Sequence, residues 1–315
     1  MSDQMRFDDR VAVVTGAGNG LGRAYAMELA GRGAKVLVND LGGGIHGTGS
    51  DDTAARAVAD EITALGGQAE ANADTVATPE GGAAIIDQAI QTWGQVDIVI
   101  NNAGAVVSRG SVHEVDPEDY VTDLMVAAGG TFFLSRAVWQ HMWERNYGRI
   151  LNVSSSAFLG MLSGAGYPAA KGAVWGLSRM MAVRAIRGER DIKVNTVMPT
   201  SGTRMTHLMG PAIDEGMKKY YPPEAAAAQA AFLVHADVPV NGEMFLIGGD
   251  RMNRVFTGIT RGISGAEGQR LTMEQIRDGF DAVLDTDDFV LATSSLEKAL
   301  MDDRVDWSAG IGKVF

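Results

Sequence analysis

Apolar and polar residues along this chain follow two alternating periods. Short, β-branched runs at residues 10–15 (RVAVVT), 35–40 (KVLVND), 68–72, 97–100 (DIVI), 149–153, 192–198 and 243–247 read as buried strands. Between them, residues 23–32, 53–65, 79–93, about 116–146 and the segment from Tyr167 onward carry apolar residues at helical spacing. Asp116-Pro117-Glu118 is a helix start, with an acid at the N-cap and proline at the first helical position. Thr272 and Gln275 form a capping box ahead of a helix over 273–284, and another helix is expected near 296–301. Strands alternating with helices predict an α/β fold, a doubly wound parallel sheet of about seven strands over residues 1–250. Residues 251–315 read as a C-terminal helical extension packing on the same domain or on a partner subunit.

Composition narrows the functional classes. The chain is 46% hydrophobic over 315 residues, enough for a sizeable core, and no Pro/Ser-rich or charged linker interrupts it. A net charge of −12 argues against nucleic acid or an anionic membrane surface as partner. With no cysteine, thiolate metal sites and cysteine nucleophiles are excluded, and the five histidines show no metal-ligand spacing. The first ten residues, MSDQMRFDDR, hold no apolar core of a leader, and no run of 18 apolar residues follows, so a soluble cytoplasmic protein is expected.

Three stretches carry candidate chemistry. The first strand runs into Thr15-Gly16-xxx-Gly20-x-Gly22 and then a helix, an order that presents backbone N–H groups and a helix N-terminus to a pyrophosphate. The second strand ends on Asp40, whose carboxylate suits a ribose diol and repels a 2′-phosphate, so NAD is favoured over NADP. The Gly-rich residues 41–52 suggest a mobile loop near the adenosine end, Asp74 stands in reach of an adenine amino group, and Asn101-Asn102-Ala103-Gly104 lets backbone approach adenine and ribose closely. The loop opened by Pro199 is placed to wrap a nicotinamide and close over substrate. The third stretch is Asn152–Lys171, NVSSSAFLGMLSGAGYPAAK, where a strand ends in three serines ahead of Tyr167 and Lys171. Four apart on a helix, phenol and ammonium are neighbours, and the cation is expected to lower the tyrosine pKa towards working pH.

Together, Thr15-Gly16-xxx-Gly20-x-Gly22, the NNAG at 101–104, the serine run and Tyr167-xxx-Lys171 resemble the short-chain dehydrogenase/reductase family, over roughly residues 10–250. VNDLGG (38–43), YGRI (147–150) and SGTRMT (201–206) narrow the resemblance to the (3R)-hydroxyacyl-CoA dehydrogenase unit of peroxisomal multifunctional enzymes and its bacterial steroid-side-chain relatives. The resemblance implies a Rossmann-like domain. It implies Tyr167 as general acid/base, Lys171 as the group that depresses its pKa, and Ser155 as the carbonyl-orienting hydroxyl, with Ser154 the contender. Cofactor contacts would come from Gly16, Asn19, Gly20, Leu21, Asp40, Asp74, Thr75, Asn102, Ala103, Gly104, Tyr167, Lys171, Pro199 and Thr203, with no metal. Where many members carry a helix asparagine that holds a proton-relay water, this chain has Ala127, and another group must relay the proton or turnover is slowed.

The implied activity is NAD-dependent oxidation of a (3R)-hydroxyacyl-CoA by a homodimer or homotetramer, with Lys218, Lys219, Arg251 and Arg254 as candidate cations for the CoA moiety. The alternatives are a dehydrogenase of free hydroxysteroids or small ketones and, on the strength of Ala127, a weakly catalytic dinucleotide sensor.

Overall fold

The computed structural model describes residues 4–42, 51–202, 210–266, 269–291 and 294. The chain divides into two units, Met1–Arg254 and Val255–Phe315. In the first, eight strands form one sheet: β1 (Val11–Thr15), β2 (Lys35–Asn39), β3 (Gln68–Asn72), β4 (Ile98–Asn101), β5 (Gly148–Val153), β6 (Ile192–Pro199), β7 (Met244–Gly248) and β8 (Arg251–Val255). Their order is β3-β2-β1-β4-β5-β6-β7-β8, and every pair from β3 to β7 is parallel. β8 is one strand more than the expected seven. Its sequence, RMNRV, has no apolar alternation because it is an exposed edge. The turn between β7 and β8 is too short for a crossover, so β8 returns antiparallel.

Among the described residues, eight helices flank the sheet: α1 (Gly20–Gly31), α2 (Thr53–Ala64), α3 (Pro79–Trp93), α4 (Pro117–Leu124), α5 (Gly130–Arg145), α6 (Gly166–Arg187), α7 (Pro211–Tyr220) and α8 (Pro223–Leu233). The pleat divides the core. Ala12 and Val14 of β1 pack on the side of α1, α2 and α8, whereas Val11 and Val13 pack on the side of α3, α5 and α6. Burial on both faces explains why the central strands read as continuous apolar runs. The chain winds outward from β1 through β2 to β3, then returns to β4 on the other side. The crevice at the carboxyl ends of β1 and β4 is therefore the switch point where ligands bind in such sheets.

α4 and α5 are joined by a π-helical turn, Met125–Gly129, that buries Ala127. The combined helix, Pro117–Arg145, is long and apolar enough by length and composition to cross a membrane, and it packs against α3 and α6. α3 and α4 start on side-chain caps: Thr78 accepts from Gly81 N–H at 3.1 Å, and Asp116 from Glu118 N–H at 2.8 Å, with proline at the first helical position of each.

The amino end of the sheet is closed by charge. Asp97, fully buried, accepts from the backbone N–H of Val11 at 2.9 Å and from Gln95 Nε2 at 2.6 Å. It pairs with Arg145 at 3.2 Å and Arg10 at 3.4 Å. Arg149, 1% exposed, pairs with Asp191 at 3.0 Å and donates to the carbonyls of Gly148 and Asp191, both at 2.9 Å. The Tyr147 ring lies between the guanidiniums of Arg10 and Arg149, at 3.9 and 4.4 Å. His141 Nε2 accepts from Val96 N–H at 3.1 Å, and burial and the neighbouring Arg145 charge hold its pKa below the usual 6.5.

The second unit was expected to be helical. Among its described residues it also contains an antiparallel strand pair, β9 (Ile259–Thr260) with β10 (Phe289–Val290). The capping box at Thr272 is present, but Gly279 splits the expected helix into α9 (Met273–Asp278) and α10 (Phe280–Leu284). Residues 296–301 lie outside the described residues.

Candidate active site

The carboxyl ends of β1, β2 and β4 converge on two turns. Thr15 Oγ1 accepts from the N–H groups of Asn102 (3.1 Å) and Ala103 (3.0 Å), while Asn102 Nδ2 donates to the carbonyls of Thr15 (2.8 Å) and Gly16 (3.1 Å). The glycine turn and the NNAG turn are thus one cross-linked unit. Gly22 has no alternative, because a Cβ there would lie 2.2 Å from the Gly16 carbonyl oxygen.

α1 begins at Gly20, three residues earlier than the apolar spacing suggested. Asn19 at its N-cap makes no side-chain capping bond, and the first turn carries no acid, unlike α3 and α4. A helix start left open beside a close-packed glycine turn fits the diphosphate of a dinucleotide. Asn19 and Gly20 are exposed there, and Leu21 is half-buried.

Asp40 follows β2, and its carboxylate accepts from Gly18 N–H and Gly42 N–H, each at 2.9 Å, which brings it over the glycine turn. Asp74 is exposed beyond β3, where Asn72 Nδ2 donates to its carboxylate at 2.8 Å. Thr75 Oγ1 accepts from Ala77 N–H at 3.2 Å. Pro199 ends β6. Thr203 lies outside the described residues, as does most of the Gly-rich loop (43–50).

The chemistry-bearing stretch sits beyond β5. The two candidate serines separate cleanly. Ser154 is buried and donates to the Lys171 carbonyl at 2.8 Å, whereas Ser155 is half-exposed, accepts from Ala157 N–H at 3.2 Å and lies near enough to the Tyr167 phenol to favour its ionised form. Alternation along the extended backbone puts neighbouring side chains on opposite sides, so one serine faces the core and the other the cleft. Lys171, 3% exposed, donates through Nζ to the Val153 carbonyl at 2.7 Å, with Nζ 5.6 Å from the centroid of the Tyr167 ring. A Cβ on Gly104 would meet that Nζ at 3.4 Å, so the NNAG turn and the Tyr–Lys pair face one space.

One electrostatic expectation is corrected. Burial, not Lys171, dominates Tyr167 and pushes its phenol above the ordinary 10. The Ser155 hydroxyl pulls it down, and the charge of Asp123 pushes it up again. Lys171 is itself pushed down to about 8 by burial, so its proton is loosely held.

The sequence reading also passed over Asp123. It is fully buried and surrounded by donors: Val107 N–H at 2.9 Å, Ser108 N–H at 3.2 Å and the Ser108 hydroxyl at 2.5 Å. Of the four cations considered for an anionic substrate, three are paired with acids: Lys218 with Asp214 (2.8 Å), Arg254 with Glu243 (2.7 Å) and Arg251 with Asp250 (3.7 Å).

The family model for short chain dehydrogenases matches residues 10–213. The chain is 39% identical over 287 residues to peroxisomal multifunctional enzyme type 2 of Mus musculus, covering 90% of this chain but only 38% of that protein. The structure of full-length peroxisomal multifunctional enzyme type 2 from Drosophila melanogaster superposes with a TM-score of 0.77 at 28% identity, covering 94% of this chain and 49% of that one. A 7α-hydroxysteroid dehydrogenase complexed with NADH and 7-oxo glycochenodeoxycholic acid superposes at 0.69 with 30% identity, covering 80% of this chain and 99% of that one. The chain thus spans 38% of the length of the mouse enzyme and 49% of the fly one. Its cross-linked glycine turns and its serine, tyrosine and lysine around one cleft agree with the sequence match: the chain belongs to the short-chain dehydrogenase/reductase family, oxidoreductases that bind a nicotinamide dinucleotide and act on CH–OH groups.

Proposed function

We propose that the chain oxidises a (3R)-hydroxyacyl-CoA, fatty acyl or steroid side-chain thioester, to the 3-ketoacyl-CoA with NAD. The observation that carries the chemistry is Ser155, Tyr167 and Lys171 gathered at the carboxyl end of β5, facing the NNAG turn. When bound, the nicotinamide ring supplies the hydride acceptor. Tyr167 Oη takes the hydroxyl proton, and Ser155 Oγ holds the substrate oxygen through a hydrogen bond that strengthens as charge develops there. Lys171 Nζ, loosely protonated, lies beside the phenol to pass the proton on. Because the phenol is pushed up, oxidation accelerates as pH rises into the alkaline range.

The thioester reading is supported by the likeness to the multifunctional enzymes and by an apolar rim. Gly164 N–H donates to the Gly110 carbonyl at 2.9 Å, tying together two loops that expose Val112, Leu159, Met161 and Leu162. An acyl chain or ring system suits such a rim. NAD rather than NADP is supported by the Asp40 carboxylate over the glycine turn, which a 2′-phosphate would approach at like charge. A homo-oligomer in a cytoplasmic setting completes the reading. Val121 and Phe132 on the α4–α5 helix, and Met180 and Ile186 on α6, are exposed apolar residues for a second copy to cover. A monomer in sedimentation would overturn that part.

The second reading, a free hydroxysteroid as substrate, is favoured by the likeness to the 7α-hydroxysteroid dehydrogenase. NADH formation at mildly alkaline pH decides between them, with straight-chain and steroid-side-chain (3R)-hydroxyacyl-CoAs compared against free hydroxysteroids. Thioester turnover that vanishes in Tyr167→Phe supports the proposal. Turnover of free steroid alone keeps the mechanism and replaces the substrate. NAD binding without turnover would turn attention to Ala127.

A further inference from the structure

Gly166 begins α6, one residue before Tyr167. Its N–H donates to Ser108 Oγ at 3.2 Å, and the Ser108 hydroxyl in turn donates to Asp123. The same carboxylate lies against the Gly166 backbone: a Cβ there would sit 2.8 Å from Asp123 Oδ2 and 3.1 Å from Ser108 Oγ. Asp123 thus touches three segments distant in sequence: the loop after the NNAG turn, its own helix α4 and the first residue of α6. Among the described residues no cation pairs with it, so a buried anion is balanced only by two backbone N–H groups and one hydroxyl. Buried acids are ordinarily matched by a cation. A lone carboxylate held in this way is costly, and its surroundings lead to one functional group.

We propose that Asp123 is a positioning residue of the active site: through Ser108 and Gly166 it sets the first turn of α6, the turn that carries the Tyr167 phenol. The assignment rests on Tyr167 being the proton-transfer group proposed above. The charged and titratable groups facing Tyr167 are Lys171 from its own helix and Asp123 from α4, with the Ser155 hydroxyl beyond β5. Asp123 disfavours the phenolate and keeps the proton on Tyr167, the form needed to donate to a ketone in the reductive direction.

The test reads the phenol directly and requires no substrate. Protein labelled with 13C at the tyrosine Cζ gives one resonance for Tyr167, identified by its absence from Tyr167→Phe. In Asp123→Asn that resonance is expected to titrate lower than in the wild type by at least about half a pH unit, the sense expected when a like charge is removed. A folded Asp123→Asn with an unmoved midpoint overturns the proposal. Should Asp123→Asn fail to fold, Ser108→Ala keeps the charge and removes the link to Gly166. A displaced Tyr167 resonance at neutral pH then supports the positioning role, and a resonance superimposable on the wild type overturns it. A wild-type protein inactive on every hydroxyacyl-CoA would end the substrate proposal while leaving this titration to decide the role of Asp123.

Discussion

The two ends of the same sheet are built on opposite rules. At the amino end, the charges of Asp97, Arg10, Arg145, Arg149 and Asp191 are paired with one another and bonded to backbone. At the carboxyl end, the N-terminus of α1 has no side-chain cap, Tyr167 is raised by burial, and Asp123 is buried without a cation partner among the described residues. The strands are continuous between the two, so local sequence propensity does not account for the difference. Polar groups satisfied inside the protein stabilise it, while groups left partly unsatisfied at one end are the ones available to a ligand.

That contrast breaks most sharply at Tyr167. Tyr167→Phe is expected to lower turnover by about 10²–10⁴-fold, the usual reach of a positioned acid/base, with urea stability unchanged. Asp97→Ala should do the reverse. It removes the buried partner of two arginines and costs about 2–3 kcal/mol in urea denaturation, while kcat of the folded enzyme stays as it was. A loss of kcat at constant stability in Asp97→Ala would erase the distinction.

Smaller effects sharpen the contrast. Asp40→Asn keeps the shape of the side chain and removes its charge. The preference for NAD over NADP, read as a ratio of kcat/KM, should narrow by about tenfold, ~1.4 kcal/mol. The smallest effect lies at the amino end. His141 is held below its usual 6.5, so the unfolded chain binds more protons than the folded one in the window just under that value. The stability this neutral imidazole contributes is complete above pH 6.5 and is lost as pH falls through the lowered folded value. His141→Gln should flatten the slope of Tm against pH between about 5 and 7, and an unchanged slope would remove His141 from the account.

Much of the carboxyl end was legible because its signals are local. Gly16, Gly20, Gly22 and Asp40 lie within one strand–helix–strand unit, and Tyr167 and Lys171 within one helical turn. Asp123 gave no such signal. Its partners at 107, 108 and 166 are distant along the chain, and in sequence it is one more acid on an amphipathic helix. The sign of the tyrosine shift was missed for a related reason, since spacing shows that Lys171 is near the ring but not that burial outweighs it. α8 escaped periodicity because its Ala-rich sequence, PEAAAAQAAFL, is apolar all round, although Pro223 at its first helical position and its alanines favour a helix. The π turn at Met125–Gly129 has no pattern in apolar spacing, and β8 is an edge too polar to read as a strand.

The Thr15 hydroxyl holds two N–H groups of the neighbouring turn, and Asn102 reciprocates with two bonds to the carbonyls of Thr15 and Gly16. Four hydrogen bonds thus join two turns separated by most of a half-domain of sequence. In the site proposed above, a dinucleotide settling between them would find their backbone already arranged and lose little free energy to ordering it. Thr15→Val, which keeps the shape and deletes the hydroxyl, removes two of those four bonds and leaves the two from Asn102 in place.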